Sequence, residues 1–305
     1  MVKVPEPRLD PLIELYQAKK VTYSEIEYVD VVGGGGKGSG LGERVLTEAR
    51  PCDCLVCVID AFTGLNDPQE QFQAMEADFI VADLAVAEKK LERLALDKRK
   101  AKDLVNPKEE EAVSRAKEWL EAEKPLRADQ ELAAEPLLRG FAFLSAKPVL
   151  YVWNVGENAL PDYKLPQDGN GVMHIAVSAK LERELAELDD PEEKAMFLSD
   201  LGIESSALDL VISRTYGLLG LISFLTAGEK EVRSWPVREG STAPEAAGVI
   251  HTDFQKGFIR AEVLGYQDYL DCGDFKTAKE RGVLRLEGKD YIVKDGDIIE
   301  FRFNV

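Results

Sequence analysis

The chain has 305 residues, of which 45% are hydrophobic and 31% are charged, a balance typical of a protein that buries a substantial core. Its formal net charge of −18 argues against a surface that wraps a long stretch of nucleic acid, because the bulk field repels phosphates. No segment approaches the roughly 20 apolar residues of a membrane span, and the four cysteines form no disulfide-like framework, so we predict a cytoplasmic protein without a membrane segment.

The first half of the chain contains the segments that predict a sheet. Residues 25–32 alternate and then become apolar, which predicts a strand, and residues 41–48 predict a helix after it. The apolar runs 54–60, 149–154 and 173–178 predict three further strands. Continuous apolar strands separated by helical stretches are typical of a parallel sheet that is covered on both faces. The predicted fold class is therefore α/β.

Between residues 80 and 140 the pattern changes to charged amphipathic helices. Apolar residues recur at helical spacing from Ile80 onward, amid many Glu, Lys and Arg residues. A second helix is predicted after Asn106, which can cap it, with Pro107 at its first position and Glu109 completing a capping box. Two such helices predict an antiparallel hairpin over residues 81–139, inserted between strands of the sheet. We interpret it as a structural arm in preference to a catalytic element.

From about residue 222 short strands and turns replace this pattern and predict a small α+β domain. It carries 12 Lys and Arg against 15 Asp and Glu, a net charge of −3, whereas the remainder has 26 against 41, a net of −15. Residues 222–305 therefore repel RNA phosphates least, and they are the part of the chain most compatible with RNA binding through a local surface patch. Residues 1–80 and 140–221 are assigned to the α/β domain. The strands predicted in the C-terminal domain are 257–263, 290–293 and 298–303, with a helix at 275–281 and a turn at 294–297.

A glycine-rich stretch begins at Gly33, between a predicted strand and a predicted helix, which is the context of a phosphate-binding loop. A Walker A loop needs Gly, four residues, and then Gly-Lys followed by Ser or Thr. Here Lys37 is followed by Gly38 and the first position is Val31, so the match fails twice. The alternative is an Asp-x-x-Gly sequence formed by Asp30 and Gly33, which in P-loop NTPases lies near Mg²⁺ and the γ-phosphate. We predict Asp30 as an indirect Mg²⁺ ligand.

Two further motifs follow predicted strands and indicate a base-binding site. Asn154 and Glu157 stand where GTPases carry Asn-Lys-x-Asp, whose Asp takes two hydrogen bonds from guanine. A Glu there, without the Lys, weakens that guanine recognition and favours another base. The Ser-Ala-Lys sequence after the next strand matches a loop that closes over the base; ordinary turns are the alternative interpretation. The predicted nucleotide-binding residues are Asp30, Gly33, Asn154, Val155, Glu157, Ser178, Ala179 and Lys180.

Longer segments of the chain resemble the YchF-type (Obg-like) family of P-loop NTPases. The resemblance implies an α/β P-loop NTPase-like G domain with a parallel sheet, an inserted helical hairpin and a C-terminal TGS domain of ubiquitin-like (β-grasp) fold. It also implies binding of ATP in preference to GTP, with Mg²⁺, and a partner in the ribosome or ribosomal RNA. Within the TGS domain we predict His251, Lys256 and Arg260 as RNA contacts. The segments that carry the resemblance are residues 5–10, 154–157, 224–233, 246–254, 256–262 and 287–297.

The sequence departs from the family pattern on its N-terminal side. The family opens with a strand and a Gly-x-x-x-x-Gly-Lys-Ser loop, and this sequence begins after both, either naturally or through a late start codon. We therefore expect an N-terminally incomplete G domain, with an exposed sheet edge beside residues 27–32 and impaired hydrolysis; no catalytic residue is predicted. The alternatives are a non-enzymatic module that binds the ribosome or RNA through the TGS domain, and a GTPase with relaxed base choice, against which Asn-x-x-Glu counts. We expect a monomer.

Overall fold

The computed structural model describes residues 1–31, 41–100, 106–188, 190–203 and 205–304, and these form two compact units. Unit 1 combines Met1–Tyr28 with Leu219–Val305, and unit 2 is Val29–Leu218. No helix in the described ranges is both long enough and apolar enough to cross a bilayer.

The strands are β1 Val2–Lys3, β2 Val21–Thr22, β3 Glu25–Ile26, β4 Leu55–Asp60, β5 Val149–Asn154, β6 Val172–Val177, β7 Leu221–Thr226, β8 Val232–Arg238, β9 Phe258–Leu264, β10 Arg285–Glu287 and β11 Ile298–Phe303. The helices are α1 Leu9–Tyr16, α2 Glu43–Ala49, α3 Pro68–Lys100, α4 Pro107–Glu121, α5 Gln130–Ala134, α6 Ala179–Glu187, α7 Pro191–Asp200, α8 Ala207–Leu218, α9 Ala243–Ile250, α10 Thr252–Lys256, α11 Tyr266–Cys272 and α12 Phe275–Glu280.

The sheet of unit 2 is parallel, with the order β4-β5-β6, and it confirms the three strands predicted from apolar runs. In β5 the five residues 149–153 are all buried, because side chains on both faces are covered. One face packs in a cluster with Phe79 of α3, and the other packs against Leu210 and Leu218 of α8. Coverage of both faces is the reason that this strand is continuously apolar.

The charged segment forms the predicted helical hairpin, although α3 begins at Pro68, earlier than the predicted start of the arm. The side chain of Asn106 accepts a hydrogen bond from the amide of Lys108 (3.1 Å) and so caps α4, as predicted. Ala87 of α3 and Val113 of α4 are fully buried in the seam between the helices. The hairpin is held by packing along this apolar stripe, which is the physical basis of its periodicity.

A buried carboxylate anchors the arm to the rest of unit 2. Asp83 of α3 is fully buried and accepts hydrogen bonds from the amides of Leu144 (3.0 Å) and Ser145 (2.7 Å). Its third partner is the guanidinium of Arg50, at 3.1 Å. Burial raises the pKa of Asp83, and the three donors oppose that rise. Asp83 therefore fixes the position of α3 against the segment that precedes β5.

Unit 1 is built on a six-stranded mixed sheet of order β10-β9-β11-β7-β8-β2. β7 and β8 form an antiparallel hairpin, and β11 lies between β7, to which it is parallel, and β9, to which it is antiparallel. Ala243 and Ala246 of α9 pack on one face, and Leu9 and Leu12 of α1 pack on the other. The strands predicted at 257–263 and 298–303 and the helix at 275–281 are confirmed. The strand predicted at 290–293 is wrong, since only Ile292 forms an isolated bridge.

The N-terminal segment belongs to unit 1 and not, as the predicted boundaries had it, to the domain that carries the parallel sheet. β2 extends the sheet by pairing in parallel with β8. Arg8 donates to Asp295 (2.7 Å) and to Glu6 (2.6 Å), and Asp295 also accepts from the amide of Ser223 (2.9 Å). The contact between Arg8 and Asp295 joins residues 287 positions apart, which local sequence patterns do not encode.

Of the strand predicted over residues 25–32, only Glu25–Ile26 forms a strand, the prediction is wrong for residues 27–31, and residue 32 lies outside the described residues. Within the described ranges β3 pairs with β1 alone, in antiparallel register with Val2 opposite Ile26. Residues 28–31 form no strand, and Val29 and Asp30 are exposed. None of residues 28–31 is fully buried, whereas a strand covered on both faces buries its apolar side chains, so the pattern that predicted such a strand failed. The sheet edge expected beside residues 27–32 is absent from the described residues for the same reason.

Candidate functional site

The three parallel strands of unit 2 end at one edge of the sheet, where their following loops meet. Asp60 at the end of β4 lies opposite Asn154 of β5, which lies opposite Val177 of β6. The amide of Ala61 donates to the carbonyl of Asn154 (3.0 Å), so the first loop starts against the second. In α/β sheets the carboxyl edge is where ligands bind. This edge is therefore the candidate site.

Asn154 joins two of the predicted motifs directly. Its side-chain Oδ1 accepts a hydrogen bond from the amide of Ala179, at 3.0 Å. Next to it, the amide of Val155 donates to the carbonyl of Val177 (2.8 Å), and the Val155 side chain is buried in the core. Val155 is thus a packing residue whose backbone connects the loops. Asn154 sets the position of the loop that begins α6.

Glu157 and Lys180 form an ion pair across the same two loops. The ammonium of Lys180 lies 2.9 Å from Oε2 of Glu157 and 3.9 Å from Glu184, one turn further along α6. The hydrogen bond to Glu157 raises the pKa of Lys180. Both side chains of the pair are partly exposed, at 35% for Glu157 and 45% for Lys180. The second oxygen of Glu157 has no partner among the described residues, so it remains available to accept a hydrogen bond.

Ser178 differs from its neighbours because its side chain points away from water. The residue is only 2% exposed and occupies the N-cap position of α6, yet its hydroxyl makes no capping hydrogen bond. Its Oγ is buried without a hydrogen-bond partner among the described residues. Ser178 thus reaches the loop at the site through its backbone only.

An aromatic residue that the sequence analysis missed lies beside these loops. The carboxylate of Asp60 accepts hydrogen bonds from the amides of Phe62 and Thr63, both at 3.0 Å, and bonding to Thr63 lowers the pKa of Asp60. This turn brings the Phe62 ring within 3.8 Å of the position that a Cβ on Gly156 would occupy. Phe62 is nevertheless 53% exposed. The available signal was an aromatic residue directly after a buried strand that ends in Asp.

The structure does not bring Asp30 into this cluster. Asp30 is exposed and has no hydrogen bond or ion pair within the described ranges, and Gly33 lies outside those ranges. Nor do any three His, Cys, Asp or Glu side chains of the described residues group as a metal site. Mg²⁺ is commonly held by one or two carboxylates together with substrate phosphates, so a lone carboxylate does not form a protein cage. The role of Asp30 at Mg²⁺ stays a prediction.

Two of the residues predicted to contact RNA lie on opposite faces of the unit 1 sheet. Arg260 of β9 is exposed opposite Arg302 of β11, on the face turned away from α9. Arg302 bonds both nearby carboxylates, Glu262 (3.0 Å) and Glu300 (3.1 Å), which leaves Arg260 without an ion pair among the described residues. His251 lies on the α9 side, where its ring centroid is 6.1 Å from that of Phe254, a residue that packs against the core.

His251 itself has a structural task at the start of α10. Its Nδ1 accepts from the amide of Asp253 at 3.2 Å and so caps the helix, although the side chain is exposed. Lys256 at the end of α10 is exposed and forms no ion pair in the described part of the chain. His251 and Arg260 therefore do not share one patch, because they lie on opposite faces of the sheet.

The comparisons with known proteins match this chain in two ways: a family model matches its C-terminal part, and relatives and a solved structure match almost its whole length. The family model YchF-GTPase_C, described as a protein of unknown function (DUF933), matches residues 221–304. The "Ribosome-binding ATPase YchF" of Bacillus subtilis (strain 168) is 42% identical over 327 residues, covering 100% of this chain and 88% of the relative. The protein of the same name from Haemophilus influenzae is 40% identical, with the same coverage of both chains. The solved structure of the Schizosaccharomyces pombe YchF GTPase superposes with a TM-score of 0.84 at 30% identity, covering 99% of this chain and 86% of that one.

Proposed function

The chain belongs to the YchF family, and we propose on that premise that it binds ATP in preference to GTP and associates with ribosomes. The observation that carries the nucleotide site is the hydrogen bond from the Ala179 amide to Asn154 Oδ1, which joins two loops at the carboxyl edge of the sheet. Relatives at 42% and 40% identity are named ribosome-binding ATPases, which supports the same class of activity.

The base preference follows from the Glu157–Lys180 ion pair. Guanine offers N1–H and N2–H donors side by side, and both oxygens of one carboxylate are needed to accept them. One oxygen of Glu157 is already held by Lys180 at 2.9 Å. Adenine presents a single exocyclic amine donor at N6, which the remaining oxygen can accept. Phe62 supplies an exposed ring against which a base can stack.

Hydrolysis by this chain is proposed to be slow. Its 305 residues contain no Gly-x-x-x-x-Gly-Lys followed by Ser or Thr, the segment whose amides and Lys hold the β- and γ-phosphates. Asp30 and Gly33 are proposed to lie near the phosphates, with Asp30 acting on bound Mg²⁺ through water. Catalysis of phosphoryl transfer is mainly electrostatic positioning, so a chain lacking those contacts binds nucleotide without rapid turnover.

Ribosome association is assigned to unit 1, which we propose to be a TGS domain of β-grasp type. The β7–β8 hairpin, α9 packed on the sheet, and β11 running parallel to β7 support that assignment. Lys256 and Arg260 are exposed cations without ion pairs among the described residues, which supports a role at RNA phosphates. A ribosomal partner implies a cytoplasmic location, and a monomer is proposed.

Calorimetric titration of the full chain with Mg·ATP and Mg·GTP tests the nucleotide site. We expect tighter binding of ATP, and Glu157→Ala should weaken it about tenfold or more, the loss typical of a hydrogen bond to a charged group. Glu184→Ala is the matched control, because Glu184 approaches the same Lys180 ammonium only to 3.9 Å and lies one turn along α6. Equal losses in the two variants would contradict the role of Glu157. Phosphate release measured on the same samples tests the slow turnover.

Co-sedimentation with ribosomes tests the second half of the proposal. Lys256→Glu and Arg260→Glu should each weaken binding and reduce its dependence on salt, since each phosphate contact releases counterions. Lys289→Glu, the same charge change at another exposed position of unit 1, should leave binding nearly unchanged. If all three variants bind alike, these cations are not the contacts.

One outcome separates the proposal from its rival. The rival is a non-enzymatic module that binds the ribosome or RNA through unit 1, with no part played by nucleotide. A chain that unfolds cooperatively, binds ribosomes and takes up neither nucleotide would establish that rival. GTP bound as tightly as ATP would instead favour the GTPase of relaxed base choice.

A further inference from the structure

Helix α7 of unit 2 forms without being buried by the other described residues. The side chain of Asp190 caps it by accepting a hydrogen bond from the amide of Glu192 at 2.9 Å, and Pro191 occupies its first position. None of residues 192–200 is buried. A helix of only 10 residues is marginal in water and is normally stabilised by packing of one face. This helix therefore lacks most of the burial that such an element needs.

The two sides of α7 have different surroundings. Leu198 lines a small space of about 50 Å³ together with Leu185 of α6 and Leu210 of α8, so this side faces the rest of unit 2. Met196 lies about 200° around the helix from Leu198, because each residue turns the helix by about 100°. The Met196 side chain is 68% exposed, as its outward position requires. Methionine is a flexible apolar residue that is enriched at protein interfaces.

Carboxylates surround Met196 on the outward side of the helix. Glu192 and Glu193 lie one turn before it and Asp200 lies one turn after it, at spacings that make side chains neighbours on a helix surface. All three are exposed and form no ion pair with another described residue. We call Glu192, Glu193, Met196 and Asp200 the α7 face. It combines an uncovered apolar centre with a rim of unpaired negative charge.

The surrounding segment carries the same sign of charge. Residues 187–204 contain seven Asp and Glu against one Lys, a net charge of −6, which is a third of the −18 of the whole chain in 18 of its 305 residues. Such a local field attracts cations and repels the phosphates of RNA. A partner that covers Met196 must therefore bring positive charge with its apolar surface.

We propose that the α7 face docks a protein segment that is rich in Lys and Arg and carries an apolar stripe at helical spacing. The stripe covers Met196, and the flanking cations pair with Glu192, Glu193 and Asp200. Nucleic acid has the wrong charge for this face, and a second copy of this chain, at −18, is repelled by it. Docking on α7 requires neither nucleotide nor the ribosome, so this inference goes beyond the proposed function.

Methyl NMR of the full chain gives a direct readout, because the sequence contains only four methionines, at positions 1, 75, 173 and 196. The probe is a synthetic peptide of Lys and Leu, about 18 residues long, with Leu at helical spacing. We expect a saturable shift of the Met196 methyl signal, with a Kd on the order of tens of micromolar. The signals of Met75 and Met173, which are partly buried in other elements, should stay in place.

Three comparison probes separate the contributions of charge and apolar contact. A peptide with Ser in place of Leu keeps the cations and loses the stripe, so it should bind about tenfold more weakly. A peptide with Glu in place of Lys keeps the stripe and should not bind. A single-stranded RNA oligonucleotide should leave the Met196 signal unchanged.

Substitutions on the α7 face test its position. Glu193→Lys should weaken peptide binding about threefold to tenfold, as expected for an exposed ion pair that becomes a repulsion. Glu111→Lys makes the same charge change at an exposed position of α4 and should change the affinity by less than about twofold.

Met196→Gln keeps a good helix former at an exposed position, and loss of its methyl signal assigns that signal. Measured by anisotropy of a fluorescent peptide, this variant should bind about fivefold more weakly. Leu96→Gln is the matched control on α3, since Leu96 is 54% exposed and lies outside the α7 face.

Four results would overturn the proposal. The first is the absence of a saturable Met196 shift with the Lys and Leu peptide. The second is equal weakening by Glu193→Lys and Glu111→Lys, which would mean that only the total charge matters. The third is a Met196 shift with RNA, which would make nucleic acid the occupant. The fourth is a Met196 signal that changes with protein concentration alone, which would show that a second copy covers the face. No readout involves nucleotide or ribosomes, so these results stand apart from the tests of the proposed function.

Discussion

Leu12→Ala is expected to destabilise the C-terminal fold even though the mutation lies near the N-terminus. Leu12 of α1 is fully buried in the same cluster as Leu225 of β7, Val232 of β8 and Ile298 of β11. Truncating a fully buried leucine costs about 3 kcal/mol, from lost transfer energy and from the cavity that remains. The loss should fall on unit 1 as a whole, because α1 covers one face of its sheet.

Hydrogen exchange measured by mass spectrometry separates the two units, which a single unfolding curve does not. For the slowest amides of β7, β8, β9 and β11, about 3 kcal/mol corresponds to exchange on the order of 100-fold faster. Amides of the parallel sheet in unit 2 should exchange at unchanged rates. Leu15→Ala is the matched control on the same helix, since Leu15 is 46% exposed and its truncation should cost under about 1 kcal/mol.

The result that would refute this reasoning is also specific. If Leu12→Ala accelerates exchange only within residues 1–28, and leaves β7 and β11 as slow as before, the N-terminal segment is a dispensable strap. The C-terminal residues would then fold by themselves, and the burial of Leu12 would contribute nothing to their cooperative stability.

Two further predictions concern unit 1. Burial acts to raise the pKa of Asp295, but hydrogen bonds from an arginine and a backbone amide hold that pKa below its ordinary value. The ionised carboxylate therefore stabilises the folded chain fully above about pH 4, and this stabilisation is lost as the pH falls through the lowered pKa. The stability gap between the unmodified chain and Asp295→Asn, read from urea midpoints, should therefore shrink on acidification; a gap that widens would contradict the shift. Gly257→Ala should destabilise unit 1 by about 2 kcal/mol or more, because the added Cβ would lie 1.9 Å from the carbonyl oxygen of Asn304. Gly288→Ala, where a Cβ meets nothing within 4 Å, should leave thermal unfolding nearly unchanged.

The sequence predicted those strands and helices whose own pattern of apolar residues shows which of their faces are buried. The strand β5 is continuously apolar because helices cover both of its faces, and the amphipathic stripe of the hairpin reflects its own seam. The same reasoning located Asn154 and the Ser-Ala-Lys sequence at strand ends, and the structure joins them by a hydrogen bond. A motif that directly follows a parallel strand lies at the carboxyl edge of the sheet. Each motif could therefore be placed at that edge from the sequence, before any contact between the motifs was known.

Contacts between distant segments were decided only by the tertiary structure. β2 has two residues, too few for any periodicity, and its partner β8 lies more than 200 positions away. Residues 28–31 are apolar enough to suggest a strand, yet they lie outside every sheet that the described residues form. Arg260 and His251 are close in sequence but lie on opposite sheet faces, since adjacent strand residues alternate and α10 packs on one side only. In each case the outcome depended on which surface of the protein was covered by a segment distant in sequence. Composition and local spacing carry no information about such long-range contacts.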